Sequence, residues 1–142
     1  MKTIHIGSDH AGYDLKTKIS AYLTRQGYIV RDHGTFSKES VDYPDYAHAV
    51  AKEVQEQKGD GILICGSANG VAITANKHNG VRAALCWNEE IAALARSHND
   101  ANIICLPARF ITVEQAEEMV KTFLATSFEG GRHQLRVNKI DC

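Results

Sequence analysis

The stretch GILICGSANGVAITAN, residues 61–76, decides the fold of this chain. Its first five residues, 61–65, form a continuous apolar run, which is typical of a strand buried on both faces of a parallel sheet. Residues 66–70 are a short turn bounded by glycines, and the residues after it predict a short helix that ends near Asn76. A buried strand that runs through a tight turn into a helix is a unit of doubly wound α/β domains.

The same alternation extends to both ends of the chain. Apolar runs predict further strands over residues 3–7, 28–32, 81–86 and 102–106. Helical spacing predicts helices over 14–26, 44–57, 89–97, 112–126 and 132–140, with Asp42, Asn88 and Thr112 at cap positions, whereas the polar segment 35–42 predicts a loop. We therefore expect one domain, a doubly wound five-stranded parallel sheet with helices on both faces. Ligands of such domains bind beyond the carboxyl ends of the strands.

The composition excludes several classes of protein. The chain has 142 residues, of which 44% are hydrophobic and 23% charged, the mixture of a soluble globular protein. Its net charge of −1 predicts no binding to nucleic acid or an anionic membrane, and no apolar run is long enough to span a bilayer. The first ten residues hold one basic residue and no apolar stretch, so we expect no secretory signal. The four cysteines form no C-x-x-C pair, and we expect reduced thiols in a cytoplasmic protein.

Several common functional motifs are absent from the sequence. Gly7 and Gly12 are spaced as in a P-loop, but Tyr13 stands where that motif needs lysine, so ATP hydrolysis is not predicted. The run GSDHAG after the first strand does not match the GxGxxG dinucleotide fingerprint. A response-regulator receiver needs an aspartate at the end of the third strand, where this chain has Cys65. The seven histidines include no HExxH motif, and no metal site is predicted.

The turn CGSANG, residues 65–70, is a candidate anion site. Backbone N–H groups at a strand-to-helix turn suit a phosphate or a developing oxyanion, although a plain turn explains the spacing equally well. Cys65 stands at this turn, where a thiol can act as a base or nucleophile. A small buried apolar residue is the more common role for such a cysteine.

Polar residues elsewhere suggest further parts of a site. Asp9 and His10 follow the first strand, a position that suits ligand binding more than packing. His98 and the adjacent Asn99 follow a helix, where they either cap it or face the same cleft. Arg132 and Arg136 are four residues apart and therefore share one helix face, which fits a phosphate dianion or a solvated basic surface.

Several stretches taken in order resemble the type B family of ribose and galactose sugar-phosphate isomerases. The resemblance covers nearly the whole chain. Its carriers are GSDHAGYDLK (7–16), DYPDYA (42–47), GILICGSANGVAITANKHNGVRAAL (61–85), ALARSHNDANI (93–103), LPARF (106–110) and FEGGRHQLRV (128–137). It implies a Rossmann-like fold and the cofactor-free and metal-free interconversion of ribose 5-phosphate and ribulose 5-phosphate. It also implies a homodimer, with a dimer of dimers as the alternative.

The resemblance assigns roles to the catalytic residues. Cys65 would be the base that moves a proton between carbons 2 and 1, and Ser67, where the family often has threonine, would assist at the substrate hydroxyl or the intermediate. Asp9 would bind sugar hydroxyls, and His98 would help to open the furanose ring. The backbone amides expected to hold the ene-diolate oxygen belong to Gly66, Ser67, Ala68, Asn69 and Gly70.

The same resemblance assigns the substrate-binding residues. Tyr43 and Asn99 would line the sugar site. The phosphate would be held by His10, Arg109, Arg132 and Arg136. The last two are expected to come from the partner subunit, because the helix predicted over 132–140 would reach into it.

Two points remain open at this stage. The turn reads SANG where many family members have TGxG, and an alanine at position 68 is not expected to take a positive φ cheaply. The substrate is the other point: a hexose 6-phosphate of the allose or galactose type is an alternative, as is a non-catalytic sugar-phosphate-binding module. The loop over 35–42 and the contacts at the sugar end would distinguish the two sugars.

Overall fold

The computed structural model describes residues 2–142, and within them five strands alternate with six helices. The strands are β1 (Thr3–Ser8), β2 (Ile29–Asp32), β3 (Asp60–Cys65), β4 (Ala83–Leu85) and β5 (Ile103–Pro107). The helices are α1 (Tyr13–Arg25), α2 (Tyr43–Gln55), α3 (Asn69–Ala75), α4 (Glu89–Ser97), α5 (Val113–Ala125) and α6 (Arg132–Val137). All strand pairs are parallel, in the order β2-β1-β3-β5-β4, which confirms the predicted fold.

Helices cover both faces of the sheet, and β3 shows this most directly. Ile62 and Ile64 lie in one apolar cluster, which also contains residues of α1, α4 and α5. Leu63 and Cys65 lie in a second cluster with residues of α2 and α3. Because successive side chains of a strand point to opposite faces, a strand covered on both sides is apolar throughout. No helix within residues 2–142 combines the length and the apolar character needed to cross a membrane.

The predicted helix starts are confirmed at two of the three cap positions. The Asn88 side chain accepts a hydrogen bond from the Ile91 N–H at 2.9 Å. Thr112 and Gln115 form a reciprocal capping box at the start of α5. Asp42 occupies the N-cap position of α2 in an extended conformation, but its side chain makes no capping hydrogen bond.

Two elements are shorter than the sequence predicts. The strand expected over 81–86 is reduced to β4. The reason is that side-chain oxygens accept hydrogen bonds from the backbone N–H groups at its start: Arg82 N–H donates to Asn102, and Ala83 N–H donates to Asn76. The helix expected over 132–140 ends at Val137, and a turn follows it. Beyond that turn the Asp141 carboxylate accepts a hydrogen bond from Gly80 N–H at 3.1 Å.

A buried lysine fixes the loop that follows β2. The Lys16 side chain is 2% exposed, and its ammonium lies 2.6 Å from a carboxylate oxygen of Asp32. The other oxygen of Asp32 accepts a hydrogen bond from Gly34 N–H at 2.9 Å. Two hydrogen bonds of 2.7 Å then join this loop to Ser8, one from Ser8 N–H to Gly34 C=O and one from Thr35 N–H to Ser8 C=O. The ion pair therefore anchors the loop beside the carboxyl end of β1.

We predict that Asp32→Ala lowers the free energy of unfolding by about 3 kcal/mol, because it leaves the buried Lys16 ammonium without its partner. This is the lower end of the range for a broken buried pair, since the Asp32 side chain is 34% exposed. Lys38→Ala is the matched control, because Lys38 and Asp14 are 70% and 67% exposed in their pair, and a change below about 0.5 kcal/mol is expected there. Urea unfolding at pH 7 measures both variants, and equal effects would contradict a structural role for Lys16–Asp32.

Candidate active site

A cavity of about 400 Å³ opens where β1, β3 and β5 end. The register places Ser8 beside Ile64 and Cys65 beside Pro107, so the loops that follow these three strands meet at one edge of the sheet. The lining residues are Asp9, His10, Ala11, Tyr43, Cys65, Gly66, Ser67, Gly70, Arg109 and Phe110. Eight of these ten are predicted site residues, all except Ala11 and Phe110, so one chain brings most of the predicted site together.

Cys65 is the cysteine of this cavity. It ends β3 and is 5% exposed, so its thiol meets the cavity from a largely buried position. The other two buried cysteines lie within the apolar clusters. Burial raises the pKa of the Cys86 thiol to about 12 and raises the pKa of Cys105 well above its ordinary value. Those two thiols stay protonated and serve packing alone, as the apolar runs before them indicate.

The turn after Cys65 adopts a conformation that the sequence did not predict. Ala68 has φ +66° and ψ −4°, so the expectation that an alanine would avoid a positive φ here is wrong. Its side chain is fully buried in the same apolar cluster as Cys65, and this packing offsets the left-handed backbone. The Ser67 hydroxyl accepts hydrogen bonds from the backbone N–H and the side-chain amide of Asn69. Among the described residues, the N–H groups of Ser67 and Ala68 have no hydrogen-bond acceptor.

Glycines at this turn allow other side chains to approach closely. A Cβ placed on Gly66 would lie 3.2 Å from Nε of Arg109, and Arg109 N–H donates to Gly66 C=O at 3.1 Å. A Cβ on Gly70 would lie 2.5 Å from ring carbons of Tyr43. The Arg109 guanidinium and the Tyr43 ring therefore pack directly against the glycine backbone at the two ends of the turn.

Asp9 and His10 are held at the opposite wall by the backbone of neighbouring loops. Asp9 is 8% exposed, and its carboxylate accepts a hydrogen bond from Gly12 N–H at 3.1 Å. Nδ1 of His10 accepts a hydrogen bond from Val41 N–H at 3.2 Å. Because Nδ1 is an acceptor, the neutral ring carries its proton on Nε2, which is then a donor. The loop over 35–42 thus contacts a residue of the cavity directly.

Six predicted site residues are not among those that line this cavity: Ala68 and Asn69 belong to its turn, and His98, Asn99, Arg132 and Arg136 lie elsewhere. His98 stacks on His133 with ring centroids 4.2 Å apart and 14° between the ring planes. Asn99 lines a separate cavity with Arg82 and Ile140, and Arg132 and Arg136 are exposed on α6. The expectation that His98 and Asp9 share a cleft is therefore not met within one chain. The reason is that α4 and α6 present His98 and the arginines on a different surface.

Comparison with known proteins identifies the family. A model of the family described as ribose/galactose isomerase matches residues 4–140. The chain belongs to the ribose/galactose isomerase family. Ribose-5-phosphate isomerase B of Escherichia coli (strain K12) is 45% identical over 141 residues, which cover 99% of this chain and 95% of the relative.

Solved structures of this family share the fold throughout. A ribose 5-phosphate isomerase of Thermotoga maritima has a TM-score of 0.97 at 52% identity, covering 99% of this chain and 97% of that one. The ribose-5-phosphate isomerase B of Mycoplasma genitalium with bound ribulose-5-phosphate has a TM-score of 0.94 at 47% identity, covering 97% and 93%. The doubly wound fold of this isomerase family is thus the fold of the chain.

Some residues beside the candidate site were not predicted from the sequence. Phe110 lines the cavity next to Arg109, and its position after the fifth strand was the available signal. Glu129 and His133 surround His98, but neither belongs to a recognisable motif. Together with His98 they form, among residues 2–142, the one group of three side chains whose ligand atoms could hold a metal ion.

The conformation of Ala68 leads to a stability prediction for this isomerase-family turn. Ala68→Gly relieves a left-handed backbone conformation that costs about 1–2 kcal/mol. It also removes a buried methyl group worth about 0.8 kcal/mol and increases the conformational entropy of the unfolded chain, and both of these effects lower stability. We expect the free energy of unfolding to change by less than about 1 kcal/mol. Ala68→Val adds β-branching at the same φ in a closed cluster and should cost at least about 2 kcal/mol. Urea unfolding measures both, and a harmless valine would contradict the left-handed assignment.

Proposed function

We propose that the chain interconverts ribose 5-phosphate and ribulose 5-phosphate through an ene-diolate, without a cofactor, and that Cys65 is the base. The observation that carries the proposal is that Cys65 and Ser67 line one cavity, while the N–H groups of Ser67 and Ala68 in the turn after Cys65 have no hydrogen-bond acceptor among the described residues. Relatives of similar length are named ribose-5-phosphate isomerase B, and one is solved with ribulose-5-phosphate bound.

The chemistry needs a base and a place for the developing negative charge. The Cys65 thiolate removes the proton from carbon 2 of the open-chain aldose, and the carbonyl oxygen becomes an enolate oxygen. The N–H groups of the 66–70 turn stabilise that oxygen, and the Ser67 hydroxyl assists at the neighbouring oxygen. The proton of the carbon 2 hydroxyl passes to the oxygen on carbon 1, and the thiol returns its proton to carbon 1. The product has a hydroxyl on carbon 1 and a carbonyl at carbon 2, which is the ketose.

The substrate is oriented by the polar side chains of the cavity. Arg109 and the Nε2–H of His10 bind the phosphate, and Tyr43 lines the path between phosphate and base. Asp9 is fixed by Gly12 and binds sugar hydroxyls. Apart from the Cys65 thiolate, the charged side chains of the cavity are Asp9 and Arg109, whose charges cancel, whereas a phosphate monoester carries about −1.5 to −2 at pH 7. One chain therefore leaves most of the phosphate charge without compensation.

The missing charge and the missing ring-opening group lie together on another surface. Arg132 and Arg136 are exposed on α6, and His133 of that helix stacks on His98. In a two-fold dimer this surface enters the cavity of the partner, where the arginines complete the phosphate site and His98 opens the furanose ring. Asn99 is adjacent to His98, so formation of the dimer also brings Asn99 to the sugar site. The dimer then has two identical composite sites, each built on a single domain with α6 supplied by the partner.

The choice of substrate rests on the relatives. The family description includes galactose isomerases, but the Escherichia coli relative is named ribose-5-phosphate isomerase B and the Mycoplasma genitalium relative probable ribose-5-phosphate isomerase B. Allose 6-phosphate and galactose 6-phosphate belong in the same assay, and preferential turnover of either would replace the pentose assignment. The four free thiols support a cytoplasmic location.

We predict that Cys65→Ala lowers the isomerase rate by about 10²–10⁴-fold while ribose 5-phosphate still binds, because the base is lost and the phosphate contacts remain. The rate is measured from ribulose 5-phosphate formation, and binding by calorimetry. Cys86→Ala is the control, and its rate per folded molecule should stay near wild type. Near-normal turnover of Cys65→Ala would show that another group is the base.

Mixing two inactive variants tests the composite site. Cys65→Ala and the double variant Arg132→Ala/Arg136→Ala are unfolded and refolded together. About half of the dimers are then mixed, and each mixed dimer has one intact site, so about a quarter of the wild-type activity should return.

The control for this experiment pairs Cys65→Ala with Asp9→Ala. Both residues line the cavity of one chain, so every mixed site carries a defect and no activity should return. Subunit exchange is verified with mass-labelled chains. Recovery in the control, or none with the arginine variant despite exchange, would contradict arginines supplied by the partner.

A further inference from the structure

Three side chains outside the cavity of this chain form a compact ligand cluster. His98 stands at the C-cap of α4, His133 lies in the first turn of α6, and Glu129 precedes α6. One nitrogen of each histidine and one oxygen of Glu129 lie within 4.8 Å of one another. The Glu129 carboxylate approaches His133 Nε2 at 3.5 Å and His98 Nε2 at 3.9 Å.

The backbone holds the cluster in place. Glu129 N–H donates to the carbonyl of Ser97 at 3.0 Å, which ties the segment before α6 to the end of α4. Glu129 and His133 are four residues apart, and His133 is almost fully buried, with its side chain 10% exposed. His98 and Glu129 are 38% and 59% exposed, so these two side chains are free to adjust while His133 stays fixed.

The donor set is that of a zinc site. Two imidazoles and a carboxylate bind Zn²⁺ with a fourth position open to water, as in zinc sites with three protein ligands. Ligand atoms around a tetrahedral zinc lie about 3.3 Å apart, given bonds of about 2.0–2.1 Å, so the three ligand atoms must draw closer. The rings of His98 and His133 stack with 14° between their planes, so the exposed His98 ring must also turn out of the stack before both lone pairs can point at one ion.

Other histidine pairs of the described chain lack an acidic third ligand. His48 and His78 approach to 2.7 Å, but the third polar group beside them is the amide oxygen of Gln55. His5 and His33 lie 2.9 Å apart, and the other ring nitrogen of His5 contacts a backbone carbonyl, that of Lys58. The positive charges of Arg132 and Arg136 lower the affinity of the His98 cluster for a cation, but the carboxylate of Glu129 offsets part of this.

We propose that His98, Glu129 and His133 bind one Zn²⁺ per chain, and that zinc bound there inhibits the enzyme. The inhibitory part rests on the proposed function, in which His98 must exchange a proton with the sugar ring. Zinc on Nε2 of His98 occupies the lone pair that this proton transfer needs. Inhibition is therefore reversible, and a chelator restores activity.

Zinc binding is measured on the full chain by calorimetry, and with Co²⁺ by its visible absorption, so that the readout does not depend on activity. We expect one ion per chain for wild type and a loss of affinity of about tenfold or more for Glu129→Gln and His133→Asn. Glu129→Gln keeps an exposed side chain of the same shape and remains informative if His133→Asn misfolds. Its isomerase rate without metal should stay within about twofold of wild type, since a carboxamide has nearly the same volume.

Two controls separate this site from other ligands. His48→Asn removes the other exposed histidine pair and should leave zinc affinity unchanged. Cys65→Ser removes the thiol of the cavity and should also leave zinc binding unchanged. Unchanged affinity in Glu129→Gln and His133→Asn, or its loss in either control, would overturn the site.

Activity is then assayed with and without zinc. Wild type should lose at least tenfold in ribose 5-phosphate turnover at saturating zinc, and Glu129→Gln should need about ten times more zinc for the same loss. Zinc binding without inhibition would overturn the inhibitory part alone. A wild-type chain that turns over no ribose 5-phosphate refutes the proposed function, while calorimetry still decides whether the metal site exists.

Discussion

β3 pairs with β1 on one side and with β5 on the other, and helices cover both of its faces. Its residues Ile62–Ile64 are fully buried, so neither its register nor its side-chain alternation can shift by one position without moving apolar groups into water. This constraint decides which face Cys65 occupies and brings it to the sheet edge where β1 and β5 also end. The cavity is the space that the three following loops leave between them.

The loop after β2 depends on this core in a different way. Lys16 places an ammonium in an apolar environment, which is costly unless a carboxylate compensates it. Asp32 does so and uses its second oxygen to hold Gly34, so that the chain returns to Ser8 and continues to Val41, where it contacts His10. A buried charge that does not itself line the cavity thereby fixes the loop that contacts His10.

Most of the fold could be predicted because its signals are local. Apolar runs mark β1, β3 and β5, and the side chains of Asn88, Thr112 and Gln115 mark helix starts by hydrogen bonds they make with nearby residues. β4 was predicted too long, since the capture of its first residues by Asn76 and Asn102 is a tertiary contact. The left-handed conformation of Ala68 was not predicted, for a similar reason. Burial of its methyl group offsets the preference of alanine for a negative φ, and this burial is a tertiary contact.

The candidate site was predictable only in part, and the reason is geometric. Residues that follow β1, β3 and β5 share one edge, so Asp9, Cys65 and Arg109 could be grouped from topology. His98 and Arg132 follow helices, and topology does not say which cavity such residues serve. Under the proposed dimer the two halves differ in kind, since the base and the oxyanion donors are held rigidly by the sheet while the ring-opening group and two arginines are exposed. Activity then requires association as well as folding, so it depends on protein concentration in a way that the stability of one chain does not determine.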